Sequence, residues 1–265
     1  MARKISVPLV SLLTLLLLTC GNPVPLTLTI GSGPIALVQN GSVVETVLSA
    51  DGFASGSIAA TLPVASTAGT TLILIMSSNV QANLASPAGF TGITNLAGTA
   101  IGVTTIFKIA VYPNNPGGII GVTVQATGPV GTGTYWAHLS EWSGVASASV
   151  LDTSGTATAV AGTTLTPSTA AAVVNPGELA VVGWTQKIAT NTATFTSPSG
   201  WTRLADSGAL SRDTHLDAEY LIGPNSGPPL APVLTSNRTT TDAGGVIVLL
   251  KRAPQAVDMS AFIAY

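Results

Sequence analysis

Residues 71–76, Thr71-Leu72-Ile73-Leu74-Ile75-Met76, form a short apolar run preceded by Ala68-Gly69-Thr70. A run of this length, rich in β-branched residues and bounded by turn formers, reads as a strand. The form recurs at Ile119–Val124 (IIGVTV), Leu179–Trp184 (LAVVGW) and Gly245–Leu250 (GVIVLL). Between Pro34 and Arg252 the chain alternates such Val, Ile, Thr and Leu runs with Gly, Pro, Asn and Ser, and helix signals are almost absent. Several runs are apolar on both faces, as strands central to a two-sheet core are. The expected fold is all-β: a two-sheet antiparallel β-sandwich.

An internal duplication organises these strands. Ser86-Pro87-Ala88-Gly89-Phe90-Thr91 returns 111 residues later as Ser197-Pro198-Ser199-Gly200-Trp201-Thr202. The neighbours keep step: residues 68–75 match 176–182 with a small gap, Tyr112–Gly117 matches Gly223–Pro228, and the strand from Tyr135 to Trp142 matches the one from Gly245 to Arg252. A period above 100 residues is too long for a solenoid unit of about 20–50. It predicts half-repeats at about 65–145 and 174–252 within one sandwich spanning 34–252. Residues 21–33, with Pro23 and Pro25, read as a linker, and residues 253–265 as a C-terminal tail that carries Met259, Phe262, Ile263 and Tyr265.

Residues 1–20 have the layout of an export leader: Arg3 and Lys4, an apolar run from Ile5 to Leu18, then Cys20 before Gly21. The run falls short of the roughly 20 apolar residues that span a bilayer. Leu17-Leu18-Thr19-Cys20 resembles a bacterial lipobox, which makes Cys20 the candidate lipidation site. Cleavage after Gly21 and retention of the segment as an apolar arm are the competing readings. Cys20 is the only cysteine, so the body behind it can form no internal disulfide. Charged residues make up 8% of the chain, against about 25% in an ordinary soluble domain. Without Arg3 and Lys4, seven basic residues face eleven acidic ones, with no basic stripe. Nucleic acid is therefore an unexpected partner.

The succession Ala68–Ile75, Ser86–Thr91 and Glu141-Trp142-Ser143-Gly144-Val145, followed by Asp152 and by the second Pro-x-Gly-aromatic-Thr turn at 198–202, resembles a widespread jelly-roll-like β-sandwich module. That module occurs in bacterial secreted or surface proteins and in phage tail or fibre proteins. The resemblance covers residues 34–252 and implies fold and setting but no catalytic residue.

Two stretches hold candidate chemistry. In Tyr135–Trp142, alternation places Trp136, His138, Ser140 and Trp142 on one face. Two indoles beside a hydrogen-bonding ring suit a carbohydrate platform, and the competing reading is burial. In Arg212–Tyr220, alternation places Asp213, His215, Asp217 and Glu219 on one face. Asp213, Asp217 and Glu219 would then hold calcium or hydrogen-bond a sugar, against the reading of a solvated face over buried Leu216, Ala218 and Tyr220. The chain has no Gly-x-Ser-x-Gly elbow, His-Glu-x-x-His or phosphate-binding loop. The expected function is non-catalytic: an exported surface sandwich for binding, adhesion or assembly, directed at a glycan or at other protein subunits, with room for a homo-oligomer. A phage virion protein is the alternative, and a jelly-roll polysaccharide hydrolase using Glu141 and Glu219 comes third. A membrane enters only through the N-terminal segment.

Overall fold

The computed structural model describes residues 33–48, 55–78, 83–97, 106–127, 133–159, 162–187, 193–208, 214–240 and 242–254. These carry seventeen strands, numbered in chain order, and no α-helix. The leader, Cys20, Asp213 and all but the first two residues of the tail lie outside the described residues.

The strands form four antiparallel sheets. The first large sheet runs β1 (Ala36–Asn40), β9 (Gly133–Ser143), β4 (Thr71–Ser78), β7 (Ile106–Tyr112), β6 (Thr91–Ala97). The long β9 also pairs with β2 (Val44–Leu48). Its small partner sheet runs β3 (Ser55–Thr61), β8 (Gly121–Thr127), β5 (Asn83–Ala85). The second large sheet runs β10 (Leu151–Ala159), β17 (Asp242–Leu250), β12 (Leu179–Lys187), β15 (Thr214–Ile222), β14 (Thr202–Asp206), with a small sheet β11 (Gly162–Leu165), β16 (Leu234–Thr240), β13 (Phe195–Thr196).

Pairing nests inward in each half. β10 pairs with β17, β11 with β16 and β12 with β15, and the first half repeats this with β1 and β2 on β9, β3 on β8 and β4 on β7. This is a rolled hairpin, the jelly-roll connectivity. The repeated Pro-x-Gly-aromatic motif closes the inner turn of each roll. The amide of Phe90 donates to Pro87 O at 3.0 Å, and that of Trp201 to Pro198 O at 3.1 Å. Gly89 (φ 84°) and Gly200 (φ 83°) occupy the third position, where a left-handed conformation is required. Phe90 then meets Tyr112 edge-on, with centroids 5.5 Å apart.

Each repeat is thus a complete two-sheet sandwich, and the duplicated unit reaches further upstream than 65 and 174. The Thr- and Ala-rich stretch after Val145 supplies β10 and β11, the opening strands of the second roll. The two-face apolarity of the central strands has a corresponding cause. Leu72, Leu74 and Met76 of β4 pack toward Ile58, Ala60, Val124 and Ala126 of the small sheet. Ile73 and Ile75 join Phe107, Ile109, Trp136 and Trp142 against Leu179, Val181, Leu216, Val246 and Val248 of the other large sheet. The large sheets face each other across this shared core, and each has a small sheet behind it. Phe107 lies so close to Gly183 of β12 that a Cβ there would sit 2.4 Å from its Cζ.

Candidate functional site

The face of β9 carrying Trp136, His138 and Trp142 points into the shared core, and all three residues are 0% exposed. Burial thus displaces the platform reading: a sugar cannot stack on rings that another sheet covers. Trp142 meets Tyr220 of β15 edge-on at 5.0 Å, while its indole N–H donates to Ser140 Oγ at 2.9 Å. His138 Nε2 lies 2.8 Å from Asn40 Oδ1. The Asn40 amide donates in turn to Leu204 O of β14 at 2.8 Å, a polar chain from one sandwich to the other. Because the Asn40 oxygen accepts, Nε2 carries the ring proton. Burial pushes the His138 pKa down to about 4, so the ring is neutral at pH 7.

The acidic face of β15 is also interior. Leu216, Ala218 and Tyr220 face the shared core as alternation requires, but His215, Asp217 and Glu219 turn toward the small sheet instead of solvent. His215 packs on Phe195 of β13 at 6.1 Å. Asp217 is 1% exposed and Glu219 0%. Their cation is Arg203 of β14, which stands across from Glu219 in the pairing register. Its Nε lies 3.4 Å from both Asp217 Oδ1 and Glu219 Oε1, one Nη donates to Phe195 O at 2.6 Å, and the other to Asp206 Oδ2 at 3.0 Å. Ser197 Oγ donates to Glu219 at 2.6 Å. Burial raises the Asp217 pKa well above the carboxylate range, the Glu219 charge adds to the rise, and Arg203 opposes it. The Arg203 guanidinium thus lies beside both of the described acids of the expected calcium set, and among the described residues no three His, Cys, Asp or Glu side chains are grouped to hold a metal.

Register shows how the halves diverged here. Lys108 of β7 stands opposite Met76 as Asp217 stands opposite Trp184, and Gly92 of β6 stands opposite Ala110 as Arg203 stands opposite Glu219. Lys108 Nζ donates to Leu84 O of β5 at 2.9 Å, the counterpart of the Arg203 bond to Phe195 O. A Cβ at Gly92 would come within 2.8 Å of Lys108 Cε. The cation that caps the small sheet has therefore changed strands between the halves, and among the described residues only the second half adds carboxylates to it.

Glu141 is the centre of a third polar group. It is 0% exposed and accepts from the Thr67 amide at 2.7 Å, from Thr70 Oγ1 at 2.7 Å and from the Gln39 side-chain amide. Asn115 locks the same corner by donating to Thr67 O, Thr70 O and Thr70 Oγ1. Glu141 and Glu219 both lie inside the fold: Glu141 accepts through both carboxyl oxygens, and Glu219 through Oε1 from Ser197 and Arg203. Two carboxylates working on a glycosidic bond would instead flank an open cleft.

A crevice of about 360 Å³ opens at the seam between the sandwiches, with Ile93, Val111 and Pro113 on one wall and Val150 and Leu151 on the other. Its walls are mainly apolar and bring together no acid or base. Comparison with protein-family models, with curated proteins and with solved structures returns no match.

Proposed function

We propose that the chain is an exported, non-catalytic surface module whose paired sandwiches serve binding, adhesion or assembly. The observation that carries this reading is where the reactive groups lie. Glu141, Asp217, Glu219 and His138 are each at most 1% exposed and sit within the sandwiches or between them. Among the described residues the exposed positions are chiefly Thr, Ser, Ala and Gly, with scattered Val38, Val64, Ile120 and Val174. Such a surface recognises through shape and hydrogen bonding, with little long-range steering by charge. The leader-like residues 1–20 supply the export half of the reading, with Cys20 as the point of lipid attachment.

Protease treatment of intact source cells tests it. The protein should be digested from outside and survive only when the cells are shielded. A protein protected inside the cytoplasm would overturn the reading, and recovery only within purified phage particles would replace it with a virion role. Glu141→Gln and Glu219→Gln variants that fold but lose a turnover shown by the parent would move the chain to the hydrolase class.

A further inference from the structure

Glu178, the residue before β12, is 1% exposed, and neither carboxyl oxygen has a partner at hydrogen-bond geometry. The first sandwich shows what this corner normally contains. There the residue before β4 is Thr70, which donates to Glu141 on the neighbouring strand. Register places Leu249 of β17 where Glu141 stands on β9. In the second sandwich the acid has thus moved to the threonine position, and of the donors around Glu141 only the Thr67 position keeps one beside it, as the Asn175 side chain.

The groups around Glu178 come from three directions. β10 brings Asp152, at the bulge between Leu151 and Thr153, and the segment after β17 brings Lys251 and Arg252. The guanidinium of Arg252 lies over Gly177, its Nη1 3.3 Å from where a Cβ would stand. The end of β15 adds only the Gly223 amide, which donates to the Glu178 carbonyl at 2.9 Å, and the preceding turn adds Asn175. Burial pushes the Glu178 pKa up to about 7 and the Asp152 charge pushes the same way, while Asn175 and Lys251 oppose.

The corner matters because the same residues hold the connection between the sandwiches. Ala146 N–H donates to Lys251 O at 2.9 Å, Lys251 N–H to Val150 O at 2.8 Å and Ala253 N–H to Gly144 O at 2.8 Å, while Val145 bridges Arg252. The linking segment, residues 144–150, is therefore fastened to the chain beside Glu178. A carboxylate that ionises in such a site without a well-placed donor costs several kcal/mol until it reaches water or a cation.

We propose that Glu178 is a proton-operated latch on this link: neutral, it stays packed beneath the Asp152 and Lys251 corner, and ionised, it swings toward Lys251 and water and loosens residues 144–150. The device stands apart from the functional reading above, because it concerns the joint of the fold and no ligand.

Melting of the full chain and of Glu178→Gln, followed from about pH 4.5 to pH 8.5, tests it. A carboxyl whose folded pKa is raised stabilises the fold least when ionised, so its penalty grows as pH climbs from the unfolded to the folded value. The two melting curves should coincide near pH 4.5. The Gln variant should then draw ahead and hold a constant lead above about pH 8. Hydrogen-exchange protection at Ala146 and Lys251, corrected for intrinsic rates, should fall about tenfold over that range in the parent and stay level in the variant. A gap between the curves that does not change with pH, or equal loss of protection in both proteins, would overturn the latch. Asp152→Asn supplies an independent arm, because removing that charge should move the midpoint of the parent's pH response downward. An unmoved midpoint overturns the proposal even where Glu178→Gln does not fold.

Discussion

Single residues here act by filling or emptying tight interior positions. Gly183 allows Phe107 to rest directly on the backbone of β12 where the two large sheets meet. Gly183→Ala should cost about 1–3 kcal/mol through overpacking, read as a lower urea midpoint with an unchanged slope. A neutral result would mean that the sheets separate there without penalty. Arg203 is the cation for two buried carboxylates, with its own side chain 37% exposed. Arg203→Gln should destabilise by about 1–3 kcal/mol, less than for a fully buried pair because water reaches the outer side of the guanidinium. Glu141 accepts from a backbone amide, a hydroxyl and a side-chain amide. Glu141→Leu, which strands those donors, should cost roughly 2–4 kcal/mol, whereas a catalytic role would leave stability nearly unchanged.

At the scale of elements, β9 joins the two halves. Its inner face couples to the second sandwich through Trp142 on Tyr220 and through the chain from His138 to Asn40 to Leu204. The folded pKa of His138 is about 4, below the ordinary 6.5. As pH falls below about 6.5 the unfolded chain binds a proton that the folded chain refuses, so stability is lost between about pH 6.5 and pH 4. This runs opposite to the contribution of Glu178. His138→Gln should flatten the acid limb of the stability profile, and an unchanged limb would assign it to other groups. The sequence displayed the existence and pairing faces of such elements well. TLILIM, LAVVGW and GVIVLL are β4, β12 and β17 or lie within them, and the alternation in β9 and β15 holds residue by residue. It did not display what the second face meets. An outer sheet and a second sandwich both demand apolar or internally paired residues, so alternation alone left Trp136, His138 and Trp142 open to a glycan and Asp217 and Glu219 open to calcium. Arg203 could be matched to those acids only once the register of β14 on β15 was known. The opening strands β1 to β3 and β10 to β11 also escaped the repeat, because edge strands rich in Thr, Ser and Ala carry little shared sequence.

For the whole molecule, the shared core makes the two sandwiches mutually dependent. Residues 33–144 or 145–254 produced alone would expose the face carrying Ile73, Ile75, Phe107 and Trp142, or its counterpart with Val181, Leu216 and Val248. An exposed apolar patch of that kind drives association. Each half alone should bind a hydrophobic dye and aggregate, while the joined chain should unfold in one transition. Two soluble, independently melting halves would contradict the shared core. The functional reading belongs to this scale as well, since it rests on reactive groups turned inward and a leader-like segment placed ahead of a weakly charged body. The most direct test is the mass of the N-terminal peptide of the protein from its native source. Export predicts a chain that begins at Cys20 with acyl groups attached, or just after the leader, whereas an intact start at Met1 or Ala2 would contradict export and make the apolar segment part of an assembly.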